Sequence, residues 1–311
     1  MNQIQKSVKT TIRGILTESG FDEIGFARAK PKDNLAEHYL KWIESGYHSG
    51  MGWMERNIEK RLDILNIMPN AKSVIVTLLN YKTDFNPQNH GDEGKISSYA
   101  WGDDYHDVCD RMISSSLESM KSKFPGEEFR HYTDTGSVLE KLWAWRAGLG
   151  WQGRHSLLIS RRLGSWCFIS VIITSLEIEA DTQSNDFCGS CTSCITACPT
   201  NAIVADKVVD SGKCISYWTI ESKGIQEFPA NISGNLNGWL FGCDICQEVC
   251  PWNSKTKSTQ IAEFLPRNNQ TSLTRDYINS LDNETFKLRF RNSPIKRRKL
   301  GGLQLNMKEI K

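Results

Sequence analysis

Apolar residues recur at helical spacing near the start of the chain, at Ile4, Val8, Ile12, Ile15 and Leu16, and predict a helix over 3–18. The same period predicts helices over 34–46, 104–123 and 138–148. Alternating or unbroken apolar runs predict strands over 73–79 (SVIVTLL), 128–132, 156–160 and 166–174 (WCFISVIIT). Ser137, with Glu140 three residues on, reads as a capping box that would start the fourth helix. Helices and strands therefore mix up to about Ile178, the pattern of an α/β (α+β) domain over residues 1–180. A polar stretch, EADTQSND, then leads into a cysteine-rich region over 181–264. The remainder, 265–311, predicts a helical stretch over 274–289 and a basic tail.

The 311 residues suffice for about two domains, since a single core stops growing near 250 residues. No apolar run reaches the ~18 residues that span a bilayer, so no membrane contact is expected. The N-terminus lacks a cationic start followed by an apolar core and reads as a helix, not a signal peptide, which points to the cytoplasm. Thiols stay reduced there, so ten cysteines clustered at ligand spacing point to metal or clusters before disulfides. The net charge of +2 is unevenly spread: Phe286 to Lys311 carries nine Lys/Arg against Glu309 alone. A polyanionic partner would explain the asymmetry, and a merely solvated tail is the alternative. Within it Lys296, Arg297, Arg298 and Lys299 follow Pro294 and read as too charged for a core.

Cys188, Cys191, Cys194 and Cys198-Pro199 form C-x2-C-x2-C-x3-C-P, in which three thiolates wrap one cubane and the fourth serves a second. Cys243, Cys246 and Cys250-Pro251 repeat the C-x2-C-x3-C-P part, but Leu240 stands where the first cysteine should be. Cys214, between the motifs, is the candidate for the missing ligand. The expected sets are then Cys188, Cys191, Cys194 and Cys250 for one [4Fe–4S] cluster and Cys198, Cys214, Cys243 and Cys246 for the other. Zinc sites use paired C-x2-C or Cys/His sets and do not explain two x3-C-P endings. Cys109 and Cys167 sit among apolar residues and read as core.

Two clusters relay electrons, so the α/β part should hold the acceptor. No G-x-G-x-x-G follows a predicted strand, which leaves a dinucleotide fold unsupported. The segment DYHDVC has Asp104 and His106 of a D-x-H-x-x-G element but Cys109 in place of its glycine, so a corrinoid here would lack that histidine ligand. The stretch DTGSVLEKLWAWRAGLGWQGRHSLLISRRLGSW (134–166), with both cysteine motifs, CISYWTIESKG and FGCDICQEVCPWN, resembles the epoxyqueuosine reductases.

The resemblance implies a cobalamin-binding domain of reductive-dehalogenase type beside a bacterial two-[4Fe–4S] ferredoxin-like domain. It implies reduction of epoxyqueuosine to queuosine at the wobble position of tRNA by base-off cob(I)alamin, fed by the two clusters. The partners implied are that tRNA and a low-potential donor of flavodoxin or ferredoxin type, with the enzyme a monomer. By family position Asp134 is the general acid, Leu158, Ser160 and Ile169 lie near the corrin, and Asn57, Ser97 and Tyr99 are further candidates. Lys223, Arg154, Lys296, Arg297, Arg298 and Lys299 are the candidate tRNA contacts. Two departures stand out: the family commonly reads G-K-N-T where this chain has Gly153-Arg154-His155-Ser156, and the chain ends too early for the helical-repeat domain of longer members. Rival readings are a reductive dehalogenase-like enzyme, disfavoured by the basic tail and the lack of a twin-arginine signal, and a non-catalytic electron carrier or tRNA-binding module.

Overall fold

Every residue of the strand Ser73–Asn80 is buried, so its apolar run has no polar face to show. The structure, a computed structural model, describes residues 3–29, 36–85, 92–225 and 227–310. In it Ser73–Asn80 lies within a four-stranded antiparallel sheet of order Glu23–Arg28, Ser73–Asn80, Cys167–Thr174, Phe129–Tyr132. The central strands alternate their side chains between two cores. Ile75, Leu79, Phe168 and Ile172 pack with Ile12, Leu16, Ile113 and Met120 of the helices Gln3–Glu18 and Tyr105–Lys123. On the opposite face Val74, Val76, Leu78, Val171 and Ile173 meet Trp143 and Ala144 of the helix Glu140–Arg146. A mixed α/β body is therefore present. Periodicity does not predict its edge strand Glu23–Arg28, whose short apolar set, Ile24 and Phe26, is fixed by pairing with Ser73–Asn80.

Four expectations change in detail. The predicted strand 156–160 shrinks to Leu158–Ile159, paired with Trp151–Gln152. The helix expected over 138–148 starts at Glu140, behind Leu139, with no side-chain cap. Glu140 does not close a box with Ser137; its carboxylate accepts the backbone N–H of Asp134 at 2.7 Å. The helix expected over 274–289 divides into Arg275–Ser280 and Asn283–Phe290, because Asp282 and Thr285 form a capping box that starts a new helix. Of the helix expected over 34–46, Ala36–Glu44 is helical, while residues 34 and 35 lie outside the described residues.

A second sheet joins distant segments: Trp239–Phe241 pairs parallel with Glu93–Ile96, which pairs antiparallel with Ser272–Thr274. Around it one core gathers Ile96 and Trp101, Ile215 and Ile220, Leu240 and Phe241, and Leu300, Leu303 and Met307. The basic segment is accordingly not a tail. Residues Lys299–Glu309 form a helix whose Leu300, Leu303, Asn306 and Met307 are buried; Lys311 lies outside the described residues. Among the described residues no helix is long and apolar enough to cross a membrane.

Arg298 shows why composition misleads here. Its side chain is buried; the guanidinium donates to the Ser222 carbonyl and hydroxyl and to Asn306 Oδ1. Asn306 in turn donates to the carbonyls of Thr219 and Leu240, tying the last helix to the cysteine-rich region. Gly302 leaves the room, since a Cβ there would collide with the Arg298 side chain. Arg298→Met should strand these acceptors without a donor and lower the thermal midpoint by roughly 4–8 °C, measured by circular dichroism.

Candidate active site and cluster pockets

The four thiols expected to share one cluster line a single hollow of about 320 Å³: Cys188, Cys191, Cys194 and Cys250, with Phe187, Trp252, Arg154 and His155. Burial pushes the Cys194 thiol up, and the neighbouring Cys250 and Cys188 add to it. The other four also converge. Burial raises Cys214, Cys243 and Cys246, and their proximity to one another and to Cys198 reinforces the shift. Among the described residues no three His, Cys, Asp or Glu side chains stand close enough to share one metal ion. Eight thiols gathered in two sets of four are a donor set that fits two [4Fe–4S] clusters. Cys109 is core, fully buried and pushed up to about 12 by burial, but Cys167 is only partly buried.

Polar groups lock the cysteine-rich region onto the α/β body. Asp244, between Cys243 and Cys246, is buried and accepts from Ser97 Oγ at 2.5 Å and from Ser98 N and Oγ at 2.6 and 2.8 Å. Asn253, after Cys250, accepts from Ser165 N at 2.7 Å and donates to Ser165 Oγ at 2.9 Å. Gly164, at φ +57°, is required beside it, because a Cβ would fall on the Asn253 amide.

Asp134 follows the edge strand Phe129–Tyr132 in a left-handed conformation, φ +53°, with 66% of its side chain exposed. Its Oδ2 accepts from the Tyr105 hydroxyl at 2.5 Å and lies 3.8 Å from His106 Nε2. His106 Nδ1 bonds Asp104 Oδ1 at 2.7 Å, and Lys296 reaches the other Asp104 oxygen at 2.8 Å. Burial would raise the Asp104 carboxyl, but these two hydrogen-bonding cations or donors, His106 and Lys296, hold it well below the usual range. Tyr105 is pushed up by burial and by Asp134, and its ring stacks on Phe168 at 4.3 Å. Beneath Asp134, Glu140 is pushed up by burial and by the Asp134 charge, and burial pulls Lys141 down. Asp134 does not cap the helix; it ends a chain of polar groups open to solvent. Tyr105 was missed in the sequence because it reads there only as the first residue of a helix.

The candidate corrin positions are of two kinds. Leu158 is buried in the sheet core, and Ser160 is wholly buried with its hydroxyl donating to Glu23 at 2.7 Å and accepting from Arg162 N and Leu163 N. The Ser97 hydroxyl is likewise committed to Asp244. Both hydroxyls donate to carboxylates of the protein itself. Tyr99 and Ile169 are partly exposed and Asn57 is exposed at φ +55°.

The basic candidates also divide. Arg298 is structural, as above. Arg154 donates to the Gly189 carbonyl at 2.9 Å and pairs with Asp206 at 3.4 Å, so it serves the cysteine loop and not an open surface. By contrast Arg297, paired with Glu221, and exposed Lys223 both lie over the Trp53 ring, 5.3 and 5.7 Å from its centroid. Arg297 is close enough to Asp134 and Tyr99 to feel both. Lys299 is exposed. Trp53 and Glu221 had no signal in the sequence, because Arg297 reaches Glu221 across 76 residues and Trp53 across more than two hundred.

Comparison with known proteins places this geometry. A family model described as a 4Fe-4S double cluster binding domain matches residues 187–253, and one described as epoxyqueuosine reductase QueG, DUF1730, matches residues 61–135. The epoxyqueuosine reductase of Atelocyanobacterium thalassa is 39% identical over 99% of both chains. A crystal structure of an epoxyqueuosine reductase with a tRNA-Tyr epoxyqueuosine-modified stem loop superposes with a TM-score of 0.90 at 29% identity, covering 97% of this chain and 80% of that one. The Bacillus subtilis enzyme, solved with its Asp134 catalytic loop swung out of the active site, gives 0.89 at 28% identity, with the same coverage. With identity of this order over essentially its full length, and with family models spanning the cysteine pockets and the segment up to Asp134, the chain belongs to the epoxyqueuosine reductases.

Proposed function

We propose that this chain reduces epoxyqueuosine to queuosine in tRNA, in the cytoplasm, with Asp134 as the proton donor and a base-off cobalamin held over the Asp134 loop. The balance is an epoxide taking up two electrons and two protons to give an alkene and water. Bound cobalamin supplies the strong two-electron reductant for this, and the clusters supply its electrons. The ligand sets we assign are Cys188, Cys191, Cys194 and Cys250, and Cys198, Cys214, Cys243 and Cys246; the convergence of each set supports them. A single-electron donor of flavodoxin or ferredoxin type, meeting a monomeric enzyme, would suit a relay of this kind.

One observation carries the reading: an exposed carboxylate, Asp134, is backed by Tyr105, His106, Asp104 and Lys296 in one hydrogen-bonded and ionic chain. Tyr105 fixes the orientation of the carboxyl, and the chain behind it offers a route for the proton that Asp134 gives up. Asp134 is exposed, so desolvation of this acid falls to the cofactor and substrate that cover the loop. The relative with a bound stem loop supports a tRNA substrate. Beside Asp134, Trp53 flanked by Arg297 and Lys223 offers a stacking face and phosphate-pairing cations together, the combination that grips an unpaired loop. Lys296, with Asp104, belongs to the acid's chain before it belongs to tRNA.

The test is anaerobic incubation with cobalamin, a chemical reductant and tRNA carrying epoxyqueuosine, followed by nucleoside analysis. Unaltered protein should yield queuosine, while Asp134→Asn should retain iron and cobalamin and lose at least about a hundredfold in turnover, the usual reach of general acid catalysis. Unaltered turnover in Asp134→Asn would remove Asp134 from the mechanism.

A further inference from the structure

The segment Arg154-His155 lies against the first cluster hollow. Both residues line it. His155 is only 4% exposed; its Nδ1 accepts the Leu157 backbone N–H at 3.2 Å, which places the ring proton on Nε2. That Nε2 has no partner among the described residues, and neither has the buried Nε of Arg154. A buried N–H without an acceptor costs about 1–3 kcal/mol, so two in adjacent residues call for an acceptor. From the same hairpin Trp151 Nε1 already donates to Cys188 Sγ at 3.4 Å. Arg154 is near enough to Cys191 to favour its thiolate, after the hydrogen bonds from Ser193. The remaining Arg154 nitrogens hold Gly189 and Asp206, so its position is fixed from outside the hollow.

We infer that Arg154 and His155 are positioning residues that set the redox potential of the cluster on Cys188, Cys191, Cys194 and Cys250, by giving N–H donors to its sulfur atoms. Reduction adds one electron's charge to the cluster. Donors and a cation beside its sulfurs stabilise that charge, so the midpoint potential rises. This rests on the ligand set assigned above.

An EPR-monitored redox titration of the anaerobically reconstituted protein tests it, with His155→Phe and His155→Gln as variants. In His155→Phe one cluster should become harder to reduce by at least threefold in its reduced-to-oxidised ratio at fixed potential, about 30 mV for one electron. The second cluster should not move, and its constancy reports an intact fold. His155→Gln, which keeps an N–H, should recover most of the shift. Independently, pulsed EPR of the reduced unaltered protein carrying 15N-histidine should show a weak nitrogen coupling to one cluster. Unmoved midpoints in His155→Phe, or no 15N coupling in the unaltered protein, would overturn the inference. Absence of both cluster signals from the unaltered protein would instead overturn the ligand set beneath it.

Discussion

The Asp244 carboxylate holds this structure together. Placed between two cysteines and buried, it gathers the Ser97 hydroxyl and both donors of Ser98, so the cysteine-rich region cannot shift without stranding a charge. Asn253 repeats the device on the far side of Cys250, through Ser165. Between these anchors, the loops that carry the cysteines are pressed against segments that lead directly to Tyr99 and Tyr105. Cluster pockets and acid site therefore share a rigid frame, as an electron relay demands.

At the acid site the logic is reversed. Asp134 is held by its backbone, through Glu140, while its carboxyl is left in solvent with one hydrogen bond from Tyr105. Charge balance comes from farther off, through His106, Asp104 and Lys296. A loop built this way leaves the desolvation of its acid to what binds over it. The basic helix 299–309 takes part from below: its approach places Lys296 on Asp104 and Arg297 on Glu221.

How much of this the sequence reveals follows from the range of the interactions. Cysteine ligands repeat at fixed local spacing, so the two motifs and the double-cluster domain are readable without a structure, as are strands whose apolar run is nearly unbroken. The helix Tyr105–Lys123 is legible from its apolar period, and Asp104 caps its start. The basic segment is unreadable for the converse reason. Arg298 looks like a solvated charge because its acceptor Ser222 lies 76 positions away, and no local pattern records Gly302 making room for it. The bonds of Ser160 to Glu23 and of Ser97 to Asp244 are likewise formed with distant strands and loops that no local pattern records. The apparent capping box at Ser137 fails because a tertiary demand, the Asp134 backbone N–H, claims Glu140 first.

The central claim is that the two cysteine motifs exchange ligands and that Cys214 completes the second set. Iron analysis with Mössbauer spectroscopy of anaerobically reconstituted Cys214→Ala addresses it most directly, with Cys109→Ala as the control. The account predicts about eight irons in the control, and in Cys214→Ala the loss or damage of one four-iron cluster with the other unaltered. Eight irons and two unperturbed cluster spectra in Cys214→Ala would contradict it.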